Sequence, residues 1–156
     1  MNTLYVLCGM VCSGKTSYAN RIAKEGVICI NDDRIVEMVH GGNYSLYRKE
    51  LKPLYKSIEN HIFGAAIQIG KSVLIDRGLN CSPAGRARWL ALAKSFDIPA
   101  VAIVFPRERA LVHAERRFQS DPRGLPLEHW IKAAERHEKE WVDPTLEEGF
   151  AEISRA

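Results

Sequence analysis

The chain has 156 residues, enough for one domain that buries about 70% of its unfolded surface and too few for two catalytic domains. A formal charge of +3 suits a phosphorylated ligand but does not by itself argue for nucleic acid. The four cysteines form no C-x-x-C pair and read as reduced thiols of a cytoplasmic protein. No apolar run approaches the ~20 residues that span a bilayer, so neither a signal peptide nor a membrane partner is expected. The histidines lack metal-ligand spacing and are expected to be solvated or hydrogen-bonded.

In chain order, Thr3 to Cys8 is a nearly continuous apolar run and predicts a strand covered on both faces. It runs directly into Gly9 to Thr16, GMVCSGKT, a full match to the phosphate-loop pattern G-x-x-x-x-G-K-[ST]. A helix should follow over about residues 14–24, closed by Gly26, and then a strand at Val27 to Ile30. Asn31-Asp32-Asp33-Arg34 stands at the carboxyl end of that strand, with a helix beginning near Arg34. Residues 45–68 carry one apolar stripe of helical period, which Pro53 either kinks or restarts. Ser72 to Asp76 reads as the third strand. Ser82-Pro83 looks like an N-cap and first helical position, opening a helix through about Phe96, and Ala100 to Phe105 is the fourth strand. Stripes at Ala110, Leu111, Ala114, Phe118 and at Leu127, Trp130, Ile131, Ala134, Trp141 give two last helices. Between them lies QSDPRGLP at residues 119–126, a turn-rich basic segment flanked by Arg116 and Arg117, suited to a mobile lid over triphosphate. A weaker strand is expected at Phe150 to Ile153. This alternation predicts an α/β fold with a mainly parallel sheet between helices.

The phosphate loop specifies its ligand. Backbone N–H groups wrap a polyphosphate while the next helix aims its positive end at the same charge. Gly9, Cys12, Ser13, Gly14, Lys15, Thr16 and Ser17 are therefore the expected nucleotide contacts, with Lys15 on the β- and γ-phosphates and Thr16 on Mg²⁺. The reaction is narrowed by what surrounds the loop. A hydrolytic motor would place Glu after Asp76, where this chain has Arg77, and the guanine string N-K-x-D is absent. Asp121 to Gly124 fits the loose D-x-x-G pattern but follows no apolar strand. Transfer to a bound hydroxyl remains, which needs a carboxylate near the acceptor and cations over the phosphoryl group. Of Asp32 and Asp33, one is expected to cap the helix and the other to do chemistry; Asp76 can hold Mg²⁺ through water or pair with Thr16 or an arginine.

GMVCSGKT, then INDD with HGG, LIDRGLN and RRFQSDPRGLP, together resemble the 5′-hydroxyl polynucleotide kinase branch of phosphate-loop kinases, from Thr3 to about Ile153. The resemblance implies a three-layer P-loop fold over residues 1–156, a single kinase domain with a five-stranded parallel sheet ordered 2-3-1-4-5. It also implies a short helical lid at about residues 116–127, Asp33 as general base, Asp76 as the acid after the third strand, Arg117 and Arg123 as lid arginines, and ATP as donor. Family members usually carry an arginine three residues after the base, where this chain has Val36; Arg34 would point elsewhere on the helix. Three functions are therefore carried forward. The first is a polynucleotide 5′-hydroxyl kinase, supported by motif order and by Arg48, Lys49, Lys52 and Lys56, which also read as a solvated helix face. Val36 favours the second, a kinase for a metabolite or antibiotic hydroxyl. The third is a nucleotide-binding regulatory module without catalysis.

Overall fold

The computed structural model describes residues 2–156. Five strands, β1 (Leu4–Cys8), β2 (Ile28–Asn31), β3 (Val73–Asp76), β4 (Ala100–Val104) and β5 (Glu152–Arg155), form one sheet ordered β2-β3-β1-β4-β5, every pair parallel. The helices are α1 (Lys15–Ala23), α2 (Asp32–Val39), α3 (Lys52–Gln68), α4 (Pro83–Ser95), α5 (Ala110–Ser120) and α6 (Leu127–Glu140). Among the described residues no helix is long and apolar enough to cross a membrane.

Alternation along the strands sorts the sheet into two cores. Leu4, Val6, Val73, Ile75, Ala100 and Ala102 face α3 and α4, where they meet Phe63 and Trp89. Leu7, Leu74 and Ile103 face the other way, against Ala19 of α1. Both faces are covered, which is why these strands read as continuous apolar runs.

Two expectations about elements need correction. The helical region expected from residue 45 begins only at Lys52; before it lie two short 3₁₀ turns, Tyr44–Leu46 and Lys49–Leu51. Asn43 takes the Ser45 N–H at 3.0 Å, Tyr47 and Arg48 are extended, and Arg48 donates its N–H to the Tyr55 hydroxyl at 3.3 Å. Pro53, without an N–H, sits in the first turn of α3 and so starts the helix rather than kinking it. The last strand lies two residues later than expected. Phe150 plugs the core ahead of it, and Ala151 opens the pairing by donating to Ala100 at 2.8 Å.

A polar knot behind the sheet's carboxyl edge holds the site's framework. Asn80 donates to the carbonyls of Leu7 at 3.1 Å and Ile75 at 3.3 Å, fixing the ends of β1 and β3 together. Arg86 is fully buried, donating to the carbonyls of Asn80 and Val142, both at 3.0 Å, and to both oxygens of Glu148 at 2.7 and 2.8 Å. Removing one partner of such a pair strands a buried charge, at about 3–5 kcal/mol. We expect Arg86→Met to lower the thermal midpoint by roughly 10 °C, at about 2–4 °C per kcal/mol; an unchanged melting curve would refute this role for Arg86.

Candidate active site

At the carboxyl end of β1 the chain turns sharply under Phe105, whose N–H donates to Cys8 at 2.9 Å. A Cβ on Gly9 would lie 2.3 Å from Ser13 Oγ, so only glycine lets the loop close here. Cys12 and Gly14 both adopt left-handed backbone, φ 52° and 97°, and curl the amides inward into an anion-binding nest. Lys15 is buried, its Nζ donating to the carbonyls of Gly9 at 2.8 Å and Met10 at 2.6 Å. Burial holds its pKa below the usual lysine value, with Asp76 offsetting part of the shift. Thr16 Oγ1 and Asn31 Nδ2 both donate to Asp76 Oδ2, at 2.8 and 3.0 Å. Hydroxyl and carboxylate oxygens side by side are the donor type Mg²⁺ takes, with phosphates and waters completing the shell. Thr16 and Asp76 therefore fit the metal expected of them.

Asn31 also caps α2, its Oδ1 accepting the Arg34 N–H at 3.0 Å. This corrects the expectation that one aspartate would be the cap, although Asp32 Oδ1 does accept the N–H of Asp33 at 3.1 Å. Asp32 meets Arg77 Nε at 3.4 Å, and burial pushes its pKa up to about 6 against the pull of that guanidinium. Asp33 is raised by burial too, with Arg123 at 4.0 Å and the Tyr44 hydroxyl beside it pulling the other way. Val36 lies one turn along the same face and is buried against Tyr55 of α3, while Arg34 is exposed.

The basic turn between α5 and α6 is tied down by Asp121, which accepts the N–H groups of Arg123 at 3.2 Å and Leu125 at 3.0 Å. Those bonds outweigh burial and keep its carboxyl below the usual range. Arg117 lies over the Trp130 ring at 4.9 Å, and Arg123 sits between Tyr44 at 4.6 Å and Trp130 at 5.4 Å. Cation–π contacts of this kind help hold a guanidinium in place, and Arg123 also donates its Nε–H to Asp121 at 3.4 Å. Arg116 instead turns outward to Glu108 at 2.8 Å.

A cleft of about 880 Å³ collects these groups. Cys12 through Ser17 line it, as do Asp33, Asp76, Arg117 and Arg123, while Gly9 lies behind the loop. Lys52 and Lys56 reach its wall; Arg48 and Lys49 do not. Composition and spacing missed Tyr44, Trp130, Arg77 and His137, which also line it. Trp130 falls on the apolar stripe expected of the last helix, and Tyr44 lies just before the region expected to be helical from residue 45. Nothing local marks His137, whose Nδ1 accepts the Val11 N–H at 3.2 Å from the far end of the chain.

A phosphate loop at the carboxyl edge of a parallel 2-3-1-4-5 sheet defines a P-loop nucleotide-binding protein. The chain belongs to the AAA-domain family AAA_33, whose model matches residues 4–139. No curated protein matches it in sequence. Among solved structures it is similar to a kinase candidate from Chloroflexus aurantiacus j-10-fl, at 14% identity and a TM-score of 0.70, over 99% of this chain and 84% of that one. A fungal RNA kinase aligns at 13% identity and TM-score 0.67, over 99% of this chain, which spans only 38% of that protein. Shikimate kinase from Acinetobacter baumannii aligns at 17% identity and TM-score 0.59, over 100% of this chain and 84% of that one. At these identities the likeness is one of fold.

His137 makes the site acid-sensitive. Burial first, then Lys15, Arg136 and His113, hold its pKa at about 4 rather than 6.5. The unfolded chain therefore binds a proton there that the folded chain refuses. Its stabilising share is complete above pH 6.5 and is lost as pH falls toward 4, at roughly 1.4 kcal/mol per pH unit. Asp32, with its raised pKa, acts in the opposite sense over the same range, so the comparison must be made against a variant. The thermal midpoint of the wild type should fall more steeply across this window than that of His137→Gln; parallel curves would exclude His137 as the group.

Proposed function

We propose that the chain is an ATP-dependent kinase that transfers the γ-phosphoryl group to an alcohol, with a polynucleotide 5′-hydroxyl as the acceptor. The observation that carries this reading is Asp33, a carboxylate whose pKa burial raises above its ordinary value, 4.0 Å from Arg123 in the cleft that Lys15 and Thr16 also line. Such a carboxylate suits proton transfer from a hydroxyl, because a base works best when its pKa approaches the working pH. The position where a hydrolase would activate water is taken by Arg77, which is engaged with Asp32.

In this mechanism the loop amides bind the donor phosphates, and Lys15 swings its ammonium from the Gly9 and Met10 carbonyls onto them. Thr16 and Asp76 would hold Mg²⁺, which when bound neutralises charge on the phosphates. Asp33 orients the acceptor hydroxyl and takes its proton. Arg117 and Arg123, presented by the lid at residues 116–127, stabilise charge on the equatorial oxygens and exclude water. Residues 1–156 act as one domain. A second reading, a small-molecule hydroxyl kinase, is favoured by the apolar Val36 in the cleft wall and by the fold's likeness to shikimate kinase.

Incubation with labelled ATP and oligonucleotides bearing 5′-hydroxyl or 5′-phosphate ends tests the proposal directly. Label should enter only the 5′-hydroxyl oligonucleotide; ATP binding without product across a broad alcohol panel would instead mark a non-catalytic module. Lys15→Ala should abolish transfer, and Arg117→Ala or Arg123→Ala should each lower turnover roughly a hundredfold. Asp33→Asn should cost about 10²- to 10⁴-fold in kcat with ATP binding intact. Protonated Asp33 cannot accept a proton, so wild-type kcat should fall with pH along a limb lying above the ordinary aspartate range. If Asp32→Asn is the damaging change instead, the base is misassigned.

A further inference from the structure

The peptide group between Met10 and Val11 is gripped from both sides. Its carbonyl accepts Lys15 Nζ at 2.6 Å, and its N–H donates to Nδ1 of His137 at 3.2 Å. A peptide group is planar, so the imidazole that fixes the N–H also fixes the direction of the carbonyl, and with it the resting place of the Lys15 ammonium. The Val11 amide is thereby spent on the protein and not on a polyphosphate.

The ring itself has little freedom. His137 is 6% exposed, and its pKa of about 4 leaves it uncharged at neutral pH. Since Nδ1 accepts, the ring proton sits on Nε2. A Cβ on Gly78 would lie 2.8 Å from its Cε1, so the turn after β3 closes directly on the ring. Met10 and Val11 pack with Ala110 and Ala114 of α5 and with Trp130 and Ala134 of α6. Trp130, Ala134 and His137 share the buried face of α6, and seven residues, about 10 Å of helix, separate the indole from the imidazole. Arg117 and Arg123 lie over that same indole, at 4.9 and 5.4 Å. One helix thus meets the two arginines near its start and the loop that carries Lys15 near its end.

We propose that His137 is a positioning residue for the donor phosphates: through the peptide between Met10 and Val11 it sets Lys15, and through α6 it keeps Lys15 in register with Arg117 and Arg123. An apolar side chain at this position would fill the space but leave the Val11 N–H without its acceptor, and an unpaired buried donor drives the peptide to turn toward another partner. The inference deepens the kinase reading and rests on it for the role of the arginines. Its first readout, nucleotide affinity, does not depend on transfer.

The test compares His137→Asn, whose Oδ1 stands where Nδ1 stood and accepts an N–H, with His137→Leu, which cannot. Both are titrated with the magnesium complex of adenylyl imidodiphosphate, well below their thermal midpoints. Affinity should fall about tenfold in His137→Leu and stay within about threefold of wild type in His137→Asn. Equal losses in the two variants, or wild-type affinity in His137→Leu, overturn the assignment. Gly78→Ala keeps the imidazole and crowds it. It should weaken binding in the wild-type background and add nothing in His137→Asn, where the shorter side chain leaves room; the same loss in both backgrounds overturns the assignment whether or not His137→Leu folds. Register is read from a double-mutant cycle with Arg117→Ala. That change should lower kcat roughly a hundredfold in wild type and less than about tenfold in His137→Leu, and effects that simply multiply overturn the register. If no acceptor turns over, the kinase reading fails by itself, and the same cycle run on affinity for the analogue decides the register.

Discussion

A single carboxylate oxygen sets the geometry of this protein. Oδ2 of Asp76, at the end of β3, receives Thr16 from the first turn of α1 and Asn31 from the end of β2. Those three residues come from three separate stretches of chain. The parallel register brings Leu7, Asp76 and Asn31 level, and Asn80 clamps β1 to β3 just behind them. Because Asn31 also caps α2, the oxygen that orients Thr16 indirectly fixes where Asp32 and Asp33 stand. The phosphate loop and the start of α2 are therefore referenced to one buried point, which is 3% exposed and supplied with donors on both sides.

The turn between α5 and α6 is held by ring stacking as well as by ion pairs, with Arg123 3.4 Å from Asp121 and 4.0 Å from Asp33. Arg123 lies between Tyr44, in the segment after α2, and Trp130, on α6. Behind Tyr44 the rings of Tyr47 and Tyr55 continue the stack at 6.3 and 5.7 Å, down to α3. A run of ring contacts thus links Arg123 to α3. On the opposite side His137 reaches from α6 to the loop amide of Val11, and His113 of α5 accepts from Glu108 at 3.0 Å. Burial lowers the pKa of both histidines, which disfavours a positive charge next to Lys15. A Cβ on Gly78 would lie 2.8 Å from the His137 ring, so the turn after β3 is shaped around it.

Much of this was legible in one dimension. The four core strands were placed to within a residue or so because burial on both faces leaves an uninterrupted apolar run, and the phosphate loop announced itself because steric and electrostatic demands fall on adjacent residues. The order of the strands was accessible only through family resemblance, since alternation of elements does not say which strands neighbour each other. Misreadings fell where tertiary contacts overrule local preference. Residues 45–51 fall in the region expected to be helical, yet Asn43 and the Tyr55 hydroxyl capture the N–H groups of Ser45 and Arg48 and hold the segment open. Asp32 and Asp33 are good capping residues by type, but Asn31 precedes them and is already in place, fixed by Asp76.

By itself, then, the sequence determined the ligand at Gly9 to Thr16, the α/β class, and the residue types available for transfer to a hydroxyl. All of these depend on chemistry between near neighbours. Only the tertiary structure decided which aspartate faces Arg123, that Tyr44 and Trp130 hold that arginine, and that His137 supports the loop. Most of those outcomes join residues tens of positions apart. Their pairing follows from the packing of helices on a sheet, and no local pattern encodes it.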